Sequence, residues 1–62
     1  MNLYDKLQKQ ALDLHIDLGK FANGNHAAGT RVRKQLAEIK RTCQAMRNEV
    51  QDTRIARKSL KQ

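Results

Sequence analysis

The sequence has no proline and no tryptophan, and Tyr4 and Phe21 are its only aromatic side chains. So few rings give no platform on which successive nucleic-acid bases could stack. One cysteine, Cys43, excludes an internal disulfide and fits a reducing compartment. The three glycines, Gly19, Gly24 and Gly29, fall within eleven residues, so the breaks in regular structure are expected there and nowhere else. No apolar run approaches the ~18 residues that a membrane span needs. Asp5 and Asp13 interrupt the first apolar stretch, which resembles neither a signal peptide nor a transit peptide, and a cytoplasmic protein is expected. Acids are scarce as well: six against thirteen Lys and Arg, for a net charge of +7.

That charge is placed unevenly. Lys6, Lys9 and Lys20 balance Asp5, Asp13 and Asp17 in the first 26 residues, so the whole excess lies after His26. An anionic partner would meet the second half of the chain.

Periodicity predicts two helices. Leu3, Leu7, Ala11, Leu14, Leu18 and Phe21 recur at helical spacing and predict a helix over about 3–22. The run Leu12 to Leu18 also alternates like a strand, but the three-and-four spacing extends beyond it on both sides, and a lone strand would have no partner. Leu12 and Ile16 then point away from Leu14 and Leu18, giving this helix a second apolar face that asks for another molecule. Asn23, Gly24 and Asn25 form the turn: Gly24 suits the left-handed position after a helix, and Asn25 the N-cap of the next. From Val32 a heptad seam runs through Leu36, Ile39, Cys43, Met46, Val50, Thr53, Arg57 and Leu60, predicting a helix over about 26–60.

The expected fold is all-α: one domain over residues 1–62, an antiparallel two-helix hairpin with a shorter first and a longer second helix. At about 1.5 Å per residue the second helix overhangs the first by roughly 20 Å. So short a chain has few apolar side chains to enclose, and assembly as a helical-bundle homo-oligomer, dimer or larger, supplies the missing partner. Leu12, Ile16, Met46, Val50 and Leu60 are the candidate interface residues.

Beside the seam, Arg33, Lys40, Arg47, Arg54 and Lys61 recur every seven residues, roughly 10 Å apart on a helix, with Lys34 and Arg41 widening the row. Flanking charges of a coiled coil are the bland explanation. Six acids cannot pair with thirteen bases in any homo-oligomer, so most of the row stays available to a polyanion. Thr30, Arg31, Arg33 and Lys34 add a hydroxyl and three cations near the start of the same helix, where unpaired N–H groups also favour anions. Thr30, Arg31, Arg33, Lys34, Lys40, Arg41, Arg47 and Arg54 are thus the candidate DNA contacts. No helix-turn-helix spacing or base-reading Asn/Gln set is evident, so phosphate contact without sequence preference is expected. RNA phosphates would serve equally.

His15, His26 and Cys43 lack metal-ligand spacing, and Cys43 on the seam is expected to be a buried, inert thiol. A two-helix chain offers no cleft for acid–base chemistry, so no enzyme, cofactor, metal or small-molecule substrate is expected. Asp13 and Asp17 stand four apart and suit pairing with Lys9 and Lys20 or with arginines of another helix. Two other classes compete. A coiled-coil module docking an acidic protein would ignore random DNA, and a membrane-surface helix would be richer in Trp and Phe.

The stretch Gly24 to Arg33, reading GNHAAGTRVR, resembles the signature of bacterial linker-histone-like nucleoid proteins, the family of the chlamydial histone-like protein and its short Bacteroidetes relatives. Their usual form is GNKAAGTR followed by another basic residue and a charged helix with an apolar repeat. The resemblance extends to about Val50 and implies a self-associating hairpin in the nucleoid that binds double-stranded DNA with little sequence preference. Thr30, Arg31, Arg33 and Lys34 match the basic motif, and Arg47 matches a late basic position. His26 departs from the usual lysine and lowers the charge there. The long Lys/Ala-rich tail of chlamydial members is not among these 62 residues, so strong condensation is not expected of this stretch alone.

Overall fold

A Schellman turn sets the topology. Gly24 takes the left-handed region with φ 99°, which glycine enters without a Cβ penalty. Its N–H donates to the Phe21 carbonyl at 3.0 Å, and the Asn25 N–H donates to the Lys20 carbonyl at 3.1 Å. These bonds satisfy carbonyls that the helix end would otherwise leave open. Asn25 then caps the following helix, its Oδ1 accepting from the Ala28 N–H at 3.1 Å.

The computed structural model describes residues 2–60, with side chains through Lys58. Two helices, α1 (Asn2–Ala22) and α2 (His26–Leu60), fold back on each other as a hairpin, and there is no strand among the described residues. The molecule is a rod of 58 × 15 × 13 Å. Because α1 has 21 residues and α2 has 35, α2 continues well past the start of α1. Residues 47–58 are exposed throughout.

The helices meet through a seam that differs from the expected one. On α1 the inward side chains are Leu3, Leu7, Gln10, Leu14 and Asp17. On α2 they are Ala28, Val32, Gln35, Ile39, Thr42 and Met46. Val32, Ile39 and Met46 lie on the expected seam. Leu36, Cys43 and Val50 are exposed instead, and on α1 so are Ala11 and Leu18. Four of the eleven inward positions are therefore polar: Gln10 and Asp17, Gln35 and Thr42.

Asp17 supplies the physical reason. It is buried, and its carboxylate accepts from the Arg31 guanidinium and from Gln35 Nε2 at 2.8 Å. A helix rotation that turned Leu18 and Leu36 inward would swing Asp17 and Gln35 apart, leaving a carboxylate near the interface without donors. The buried Thr42 hydroxyl is satisfied within its own helix, donating to the Glu38 carbonyl at 3.2 Å. Near the turn, the Phe21 ring lies against Gly29, where a Cβ would come within 2.8 Å of two ring carbons. Ala28 and Val32 are the buried apolar residues among those described, and no large side chain is fully buried.

Candidate nucleic-acid interface

The basic residues of α2 divide into one that the hairpin uses and several that it leaves open. Arg31 forks onto Asp17: Nε donates to Oδ1 at 3.3 Å and Oδ2 at 3.2 Å, and Nη2 to Oδ1 at 3.1 Å. This is the one ion pair among the described residues. The hydrogen bond from Arg31 holds the Asp17 carboxyl below its ordinary 3.8; partial desolvation opposes this, while Gln35 and the charges of Arg31 and Lys20 reinforce it. An arginine so held joins α2 to α1, although its side chain remains 48% exposed on the other edge.

Thr30, Arg33, Lys34, Lys40, Arg41, Arg47 and Arg54 are all exposed. None is in an ion pair among the described residues. Arg33, Lys40, Arg47 and Arg54 stand seven apart on one continuous helix, spanning about 30 Å on a flank turned away from α1. Lys61, the next step of that row, lies outside the described residues. A polyanion approaching this flank meets no carboxylate at the row positions.

The first turn of α2 is residues 26–29, and Asn25 caps the Ala28 N–H. Thr30, Arg31, Arg33 and Lys34 therefore start in its second turn, where backbone N–H groups are already bonded along the helix. Whatever anion these residues meet, they meet it with side chains.

Among the other sequence candidates, Leu12, Ile16 and Val50 are exposed and Met46 is half-buried; the side chain of Leu60 lies outside the described residues. Cys43 is exposed, not buried on the seam as expected, because the seam passes through Thr42 in its place. No three of His, Cys, Asp and Glu are grouped to hold a metal ion among the described residues. Arg57, placed on the seam by its heptad position, is exposed, and so is Lys58. The length difference between the helices was the signal for Arg57: a seam residue beyond the start of α1 has nothing to face. These two cations also suit the negative end of the α2 dipole.

A hairpin with a paired inner edge and an open cationic outer edge on its longer helix defines a small basic helical protein. The model of the histone H1-like protein Hc1 family matches residues 1–56, and the chain belongs to that family. Neither curated proteins nor solved structures gave a match.

Proposed function

We propose that this chain is a nucleoid protein that binds double-stranded DNA through backbone phosphates, with little sequence preference, and bridges or compacts duplex segments as a homo-oligomer. The observation that carries the reading is the open row Arg33, Lys40, Arg47 and Arg54, widened by Lys34 and Arg41, with no described carboxylate paired to any of them. Membership of a histone H1-like family supports it. Lysine and arginine on a straight helix contact phosphates wherever the duplex presents them, and no side chain is fixed in a geometry that would choose one base edge over another.

Arg31 belongs to the fold in this reading, and Thr30 contributes a neutral donor beside the row. The test is fluorescence anisotropy with two duplexes of unrelated sequence. Equal affinity for both, lowered equally when Arg33, Lys40 and Arg47 are changed to Gln, is the expected result. Binding to one duplex alone would mean base readout, and stoichiometric binding of an acidic protein with none to either duplex would mean a docking module.

A further inference from the structure

The seam that joins the helices also fixes which residues share a broad face of the hairpin. One residue further along a helix is a turn of about 100°, nearly square to the plane of the two helices. In an antiparallel pair, turns of the same sense on both helices carry side chains to the same side. Arg33, Lys40 and Arg47 follow the inward residues Val32, Ile39 and Met46, so the row stands on one broad face, and Arg54 continues it one heptad on. Leu36 and Cys43, which follow Gln35 and Thr42, lie between the cations. On α1 the residues at the same offset are Tyr4, Gln8, Ala11, His15 and Leu18, all exposed. No Asp or Glu occupies any of these positions.

The other face is mixed. The residues that precede inward ones include Lys6, Lys9 and Asp13 on α1, and Arg31, Lys34, Glu38 and Arg41 on α2. Arg31 is engaged by Asp17, and Lys34 and Arg41 both stand within a helical turn of Glu38. A polyanion approaching from that side meets a carboxylate on each helix, and from the first side it meets none.

We propose that double-stranded DNA lies on the face that bears the row, with α1 beneath it as well as α2, so that Tyr4, Gln8 and His15 join the site. The proposal rests on the DNA reading and extends its footprint to a helix whose own charges cancel; Lys34 and Arg41 fall at the margin. Width is the first support. The rod is 15 Å across at its broadest and a major groove alone is about 12 Å wide, so a duplex seated on a row square to the plane covers both helices. Charge placement is the second. Lys6, Lys9, Lys20, Asp5, Asp13 and Asp17 are all the charged side chains of α1, and every one avoids this offset. What stands there instead suits a phosphate backbone: the Gln8 amide and Tyr4 hydroxyl are neutral donors of the kind that bind phosphate oxygens. Tyr4, Leu18 and Leu36, 45–51% exposed, give up apolar surface to water until something covers them.

Two neighbours on α1 test the face. Gln8 lies on it and Lys9 on the other; both are exposed, and neither is in an ion pair among the described residues. Gln8→Glu and Lys9→Gln each lower the net charge of +7 by one. If DNA met α2 alone, the two would cost the same small amount. With DNA on the face, Gln8→Glu lowers duplex affinity about tenfold, by setting like charge against phosphate. Lys9→Gln then lowers it less than about threefold, a screened effect at a distance. Gln8→Lys tightens binding and steepens the plot of log affinity against log salt by about 0.9, one further phosphate. A gain cannot come from a misfolded chain, so this variant decides the matter whatever Gln8→Glu does to the helix. Fluorescence anisotropy across a salt series reads all three. Equal losses from Gln8→Glu and Lys9→Gln, or an unchanged slope in Gln8→Lys, overturn the face while an unaltered chain that binds duplex keeps the DNA reading. A larger loss from Lys9→Gln puts DNA on the other side and overturns it too, and an unaltered chain that binds no duplex overturns both readings.

Discussion

The two stretches of α2 obey different rules. From Ala28 to Met46 the helix is held by α1, with inward positions alternately apolar and polar from Val32 onward, and its register is set by the Asp17, Arg31 and Gln35 cluster. From Arg47 to Lys58 every residue is exposed, and position in the heptad no longer decides what a side chain does. The row of cations crosses from one stretch to the other without interruption. The packed seam and the open cations therefore lie on different sides of one helix, and under the proposed function each can be disturbed while the other is kept.

The largest effect on the contact side comes from changing Arg33, Lys40 and Arg47 together to Gln. Losing three phosphate contacts lowers duplex affinity about a hundredfold at physiological salt and reduces the salt slope by nearly 3. Circular dichroism should show the same helix content, because none of the three makes a hydrogen bond or ion pair among the described residues. A loss of helix would mean that the row also holds the fold.

On the folding side, one substitution at two places separates the stretches. Ala28 is 0% exposed, so Ala28→Leu overpacks the seam and costs about 1–3 kcal/mol. Ala56 is exposed on the overhang, where Ala56→Leu changes stability by no more than about 0.5 kcal/mol. Thermal melts of the two variants measure the contrast, and equal shifts would show that the overhang is packed after all.

The smallest effect is a dependence on acid. Folding holds the Asp17 carboxyl below its ordinary 3.8, chiefly through the Arg31 hydrogen bond. A lowered folded value means that the pair's contribution is complete above the ordinary value and is lost as pH falls through the folded one. Stability should thus be level near neutrality and decline below about pH 4. Asp17→Asn lowers the melting temperature at neutral pH and removes Asp17's share of the acid decline. An unchanged decline in that variant would assign it to the other carboxylates.

Much of the hairpin was legible because its signals are local. Asn23, Gly24 and Asn25 can do little except end one helix and cap another, and three-and-four spacing names the helices on both sides. The seam was legible only in part. Leu36 and Cys43 fit a heptad as well as Gln35 and Thr42 do, and hydrophobicity favours the former pair. What decides between them is a pairing across the turn, Asp17 with Arg31 and Gln35, which no periodicity within one helix contains. The same pairing took Arg31 out of the open set. The basic row was readable because an exposed charge needs no partner to be placed, only a helix and a flank.

An open row of cations must meet phosphate, and the salt dependence of duplex binding tests that directly. With about five phosphates neutralised per protomer, log affinity plotted against log salt should fall with a slope of about 4 to 5, equal for unrelated duplexes. A slope near zero would contradict it, because cations hidden between subunits or matched by carboxylates displace no counterions from DNA.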